Sequence, residues 1–232
     1  MIVFPAVTAA VLAVLCWSMV SQYGARRRPH QLAWAVALAS GLVGTLAFLG
    51  STAAGGNPWL FRVYYLGGAV LTAPLVGVGS TLLLPRRGWF WAMLAVAVAA
   101  GLGGAVGLAA TPIAAAQLAS LGIMPGTTVV TSPAVLVPVI AGNSLGTIAV
   151  VGVALWSVWG SIRGGRPWAV TAGNTLILAA TLVVAAAGSL ARLGAGAGFW
   201  AMQAVGFCVL YAGVAVMGLG RPATRAEARP AS

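Results

Sequence analysis

Proton transfer, nucleophilic attack and metal binding each need clustered carboxylates, imidazoles or thiols, and this sequence has almost none. Glu227 is its single carboxylate and His30 its single imidazole. A carboxylate dyad, a Ser-His-Asp triad and a multi-ligand His or carboxylate metal site are therefore excluded. All twelve basic residues are arginines. Without a lysine amine, a retinal-type Schiff base in the last helix is excluded too. The two thiols, Cys16 and Cys208, lie inside apolar runs and read as small buried hydrophobes rather than as a disulfide. A proton relay would need Asp, Glu or His at membrane depth. His30 and Glu227 both fall in segments between or beyond the apolar runs, so none is expected, and no cofactor or metal is implied.

The polar residues that do fall inside apolar runs are few. Arg62, Tyr64 and Tyr65 stand at the start of the third run, with Arg62 and Tyr65 three apart and so on one helical face. Asn143, Ser144 and Thr147 stand in the middle of the fifth, and Gln203 lies two turns into the seventh. Ser80, Thr81, Asn174 and Thr175 form a second polar level nearer the opposite end. One reading groups Arg62, Tyr65, Asn143 and Gln203 into a pocket for an anionic or hydroxylated small molecule, or a lipid headgroup. The other makes the amides interhelical hydrogen-bond glue. It leaves Arg62 to snorkel to headgroups; otherwise Arg62 meets helix carbonyl ends, tyrosine hydroxyls or an anionic group that the protein does not itself supply.

These residues are positioned by helices in a bilayer. Of 232 residues, 61% are hydrophobic and only 6% charged, against about 25% charged in a soluble domain. Seven stretches reach the roughly 20 apolar residues a transmembrane helix needs, at about 2–22, 32–50, 59–84, 89–110, 133–159, 168–190 and 198–219. The expected fold is an all-α integral membrane protein, a single bundle of seven transmembrane helices over residues 1–219. A short Arg/Ala/Pro-rich tail follows at 220–232. Pro74 and Pro138 predict kinks in spans 3 and 5. The pairs Gly103/Gly107 and Gly142/Gly146 predict close helix packing. Spans 3, 5, 6 and 7 are expected to line the centre.

Arginine placement sets the expected orientation. With the N-terminus outside and the C-terminus cytoplasmic, ten arginines face the cytoplasm and only Arg62 and Arg192 face out. The net charge of +11 is then mostly topology and attraction to anionic headgroups, with no nucleic-acid partner required. The nine tryptophans are expected as interfacial anchors: Trp59 and Trp200 at the outer boundary, Trp17, Trp34, Trp89, Trp91, Trp156, Trp159 and Trp168 at the inner one. Residues 1–22 have no basic residues before the apolar run, so they read as a retained helix rather than a cleaved signal. Abundant Ala, Gly and Arg without Lys suggests a GC-rich bacterial genome, hence a multi-pass protein of the bacterial inner (plasma) membrane.

Residues 111–132 form the one long connection, read either as a lid or as a packed connector, with Pro112 to Leu121 extending span 4 or lying as a short interfacial helix. A faint echo at an offset near 140 residues (Arg28-Pro29 before Trp34, Arg166-Pro167-Trp168) predicts a three-plus-one-plus-three arrangement. Two function classes follow. The chain is a non-enzymatic carrier or sensor that binds a small molecule or lipid within the bundle. Alternatively, it is an accessory subunit of a larger membrane complex, with a membrane protein as partner. An enzyme would have to work with arginine, tyrosine and hydroxyls alone.

Overall fold

The computed structural model describes residues 2–219 apart from Ile123 and Arg166. The tail at 220–232, with Arg221, Arg225, Glu227 and Arg229, lies outside the described residues. The chain is 85% helix, with no strand among the described residues. Seven helices there are long and apolar enough to cross a membrane. They are α1 (Val3–Arg26), α2 (Pro29–Ala53), a composite third span, α5 (Arg87–Ala110), α7 (Pro133–Arg163), α8 (Trp168–Arg192) and a seventh ending in α9 (Phe199–Leu219). The third span is built from α3 (Pro58–Tyr64), a π-helical segment (Tyr65–Leu71) and α4 (Thr72–Thr81). The short α6 (Ala115–Leu121) lies in the long connection.

Helix starts and stops follow local chemistry. Pro29, Pro58 and Pro133 open their helices where a missing N–H costs nothing. Asn57 caps α3, its side-chain oxygen accepting from the backbone N–H groups of Trp59 (2.9 Å) and Leu60 (3.1 Å). Arg27, at φ 52°, takes the left-handed conformation that ends α1. Arg26, Arg163 and Arg192 fall in last helical turns, beside the free carbonyls and the negative end of the helix dipole.

Six of the spans form a closed ring in the order α1, α2, third span, α7, α8, α9 and back to α1. The remaining one, α5, sits outside the ring against the third span and α7. Exchanging the first three spans for the last three leaves this order unchanged, which is compatible with a three-plus-one-plus-three division. One end of the bundle carries Arg62, Arg192 and residues 111–132. The other carries Arg26, Arg27, Arg28, Arg86, Arg87 and Arg163. They are called here the arginine-poor and arginine-rich ends.

Glycines set the closest helix crossings. A Cβ on Gly146 would lie 2.5 Å from the Ala73 carbonyl oxygen, so α7 meets the third span backbone to backbone. Gly44 stands equally close to Gly68 where α2 crosses the third span. Gly213 of α9 packs on the Gly173 carbonyl of α8. The expected pairs serve the same purpose: Gly103 and Gly107 meet Pro138 and Ala134, and Gly142 meets Ala100. Cys16 and Cys208 are both free thiols, but against expectation neither is fully buried: Cys16 is half-buried and Cys208 exposed.

Candidate functional site: a chamber inside the ring

The third span owes its shape to Pro74, which has no N–H to give to the preceding turn. The helix widens into the π segment just before it, and the displaced carbonyls find side-chain donors. Ser40 of α2 donates to the Gly67 oxygen at 3.0 Å, and Thr72 donates to the same oxygen at 2.8 Å. The Asn143 amide of α7 donates to the Ala69 oxygen at 2.8 Å. Backbone freed inside an apolar bundle must be satisfied in this way or line a cavity. Here it does both, because Gly68, Ala69 and Thr72 border a chamber within the ring.

The chamber has a volume of about 660 Å³, in the range of small-molecule sites. All six ring helices line it, and α5 does not. Spans 1 and 2 thus join the expected spans 3, 5, 6 and 7. Their share is apolar (Leu12, Leu15 and Met19 of α1, Leu38 of α2), which is why the polar residues alone did not reveal it. On α1 the lining runs from Thr8 to Met19, about 16 Å at 1.5 Å per residue, and on α9 from Phe199 to Val214, about 22 Å.

Of the four residues expected to form a pocket, the structure brings three to this chamber: Tyr65, Asn143 and Gln203. Arg62 is not among them, which corrects the expected grouping. Its Nε donates to the Leu108 oxygen and its Nη2 to the Thr111 oxygen, each at 3.0 Å. Its guanidinium also lies 5.3 Å from the Trp59 ring centroid. Arg62 therefore caps the carbonyl end of α5 outside the ring, the best partner available to a cation with no carboxylate nearby. Sharing a helical face with Tyr65 did not decide its partner; the position of α5 did.

The cation at the chamber is Arg192, at the end of α8. It stands beside the Tyr64 and Tyr65 hydroxyls. No bond of good geometry forms to Tyr65, whose buried hydroxyl is left without a partner. The Asn143 Oδ1, Gln203 Oε1 and the Trp200 and Trp34 Nε1 atoms are likewise buried without partners, and all four residues line the same chamber. Native interiors leave few such groups, so their concentration here is a property of the site. Sequence reasoning placed Arg192 only as a boundary charge. Its signal was its register: Thr181, Ala185, Gly188 and Arg192 form one helical stripe of small residues ending on a cation.

Residues 111–132 close the arginine-poor end. Leu118, Val129 and Val130 are buried in the same core as Phe61 and Tyr64. Tyr64 donates its hydroxyl to the Pro125 oxygen at 3.0 Å, and Thr127 donates to the Ala191 oxygen at 3.1 Å. Pro125 and Thr127 both line the chamber, so this packed connector is also its roof. Gly126, at φ 69°, allows the turn and leaves room for the Phe61 ring.

The second polar level does not assemble at the chamber. Ser80 lines it, but Ser80, Thr81 and Asn174 all donate to carbonyls of their own helices, at Val76, Val78 and Val170. Thr81 and Asn174 are buried away from the chamber. Two tryptophans also depart from expectation. Trp17, Trp59, Trp89, Trp91, Trp156, Trp159 and Trp168 are exposed as interfacial anchors would be. Trp200 is buried against Phe48, with ring centroids 4.5 Å apart. Trp34 lies across Gly79 at the arginine-rich end of the chamber.

Comparison with protein-family models, curated proteins and solved structures finds no match.

Proposed function

We propose that this multi-pass membrane protein binds a small molecule or lipid inside its six-helix ring, as a carrier or as the sensing half of a sensor, with no enzymatic step of its own. The observation that supports this most is the set of unpartnered polar atoms on Tyr65, Asn143, Gln203, Trp34 and Trp200 around one chamber. A bound ligand supplies the missing partners, whereas buried polar groups with none are costly to keep. The ten-to-two arginine asymmetry supports an N-terminus outside and a C-terminus in the cytoplasm of a bacterial inner membrane. That orientation turns the arginine-poor end outward.

A second reading, an accessory subunit of a larger membrane complex, has its own support. Outside the ring, α5 presents Val98, Leu102 and Val106 on one face, at 51%, 66% and 70% exposure. That stripe suits a helix of another membrane protein. Native mass spectrometry of protein extracted mildly from its own membranes separates the readings. The binding reading expects a lone bundle with a reproducible small-molecule or lipid mass. A second polypeptide at fixed stoichiometry without such a mass would establish the subunit reading, and a lone, empty bundle would sink both.

A further inference from the structure

The walls of the chamber are not equally closed. On most sides the lining is shut off from the surroundings: Leu12, Leu15 and Tyr65 are each 1% exposed. On α7, Ile140, Ser144 and Ile148 line the chamber and yet are exposed, Ile148 at 65%. They stand four residues apart and make one stripe along the helix. On the neighbouring α8, the lining includes a stripe of Thr181, Ala185, Gly188 and Arg192. A Cβ on Gly188 would meet nothing within 4 Å. Elsewhere α8 is held hard against α9, where Gly206 and Gly213 touch Ala180, Val184, Gly173 and Ile177. The third span likewise grips α7 through Gly146. The exposed residues of the lining, Ile140, Ser144 and Ile148 of α7 and Ser189 of α8, all belong to these two helices, so the chamber opens sideways along the α7–α8 seam, among lipid tails.

We propose, building on the binding reading above, that the ligand is a lipid-like amphiphile with an anionic head, and that it passes between bilayer and chamber through the α7–α8 seam. The head binds at Arg192, whose guanidinium stands beside the Tyr65 hydroxyl, in a chamber that Gln203, Pro125 and Thr127 also line. No acidic side chain among the described residues neutralises that guanidinium, and the single carboxylate, Glu227, belongs to the tail. An anion brought by the ligand completes it. The tail lies along Leu12, Leu15, Phe207 and Leu210 towards Trp34. The chamber runs about 16 Å along α1 and about 22 Å along α9, long enough for a tail that spans one leaflet, half of a hydrocarbon core about 30 Å thick. A lateral opening suits such a ligand, since its tail never has to cross water.

Photo-crosslinking of the full chain in lipid nanodiscs tests this. The probes are palmitic acid and 16-carbon lysophosphatidic acid, each with a diazirine in the tail, and the headless alcohol hexadecanol labelled in the same way. The two anionic probes separate a carboxylate from a phosphate source of the head. The expected result is labelling of Leu15, Phe207 or Leu210 by at least one anionic probe, roughly tenfold above hexadecanol, a gap equivalent to one ordinary charge-assisted contact. Arg192→Leu abolishes that excess and Arg192→Lys restores part of it. Gly188→Leu, placed in open space where folding is unaffected, blocks the tail and lowers labelling with all three probes. Labelling confined to lipid-facing positions such as Leu102 and Val106, or equal labelling by the alcohol, overturns the proposal. In that event a water-soluble mass in the native spectrum would leave the binding reading standing, and an empty bundle would remove both.

Discussion

The third span and the α7–α8 seam lie on either side of the same helix, α7, and are built in opposite ways. Around the third span the freed backbone carbonyls of Gly67 and Ala69 find donors. The π segment gives up regular hydrogen bonds, and Ser40, Thr72 and Asn143 replace them. The end of α5 exposes carbonyls, and Arg62 takes two of them. Gly146 brings two backbones into contact. Along the seam, Arg192 has no anionic side chain beside it among the described residues, a Cβ on Gly188 would meet nothing and Ile148 faces outward. A helix bundle at membrane depth gains nothing from leaving polar groups unpaired. The difference separates what holds the protein together from what is left for a partner molecule.

Substitutions on the two sides of α7 should therefore behave differently, and the largest effect belongs to the tight side. Gly146→Leu forces a side chain into the Ala73 carbonyl, which should cost about 3 kcal/mol or more, in the upper range for overpacking. Thermal unfolding in detergent, followed by loss of the monodisperse chromatographic peak, would show it; a wild-type melting curve would mean that the crossing is looser than described. Arg62→Leu leaves the Leu108 and Thr111 carbonyls without their donor and should cost about 1.5–3 kcal/mol, the scale of a charge-assisted hydrogen bond. It should not change ligand occupancy. Asn143→Leu removes the Ala69 contact and should cost about 0.5–1.5 kcal/mol, and it should also weaken binding because Asn143 lines the chamber.

On the seam side the expected stability changes are small or favourable. Gly188→Leu replaces a helix-interior glycine in open space and should stabilise by up to about 1 kcal/mol while reducing occupancy. A fall in melting temperature would show that the seam is packed after all. Arg192→Leu gives up a cation at the carbonyl end of α8 and should cost about 0.3–1 kcal/mol, while emptying the chamber.

The spans were legible because bilayer thickness imposes a length that few other structures share. Seven apolar runs, each ended by Gly, Pro or Arg, became seven helices, most of them extended into their arginine turns by a residue or more. The candidate site was legible only where polarity marked it. Tyr65, Asn143 and Gln203 stood out as polar residues in apolar helices, and all three reach the chamber. Arg62 stood out for the same reason but faces α5, because a single helix's face says nothing about which neighbour occupies it. Leu12, Leu15 and Met19 look like any lipid-facing residues until the ring closes around them. Trp34 and Trp200 resemble the seven exposed tryptophans in sequence, and only packing tells them apart.

The most direct test is to compare ligand occupancy by native mass spectrometry in Arg62→Leu and Arg192→Leu, extracted from the same membranes as the wild type. The chamber assignment predicts that Arg62→Leu unfolds more readily yet keeps the bound mass of the wild type, whereas Arg192→Leu stays folded and loses it. An Arg192→Leu protein that retains the ligand, beside an Arg62→Leu protein that is folded and empty, would contradict it and move the site to the outside of the ring.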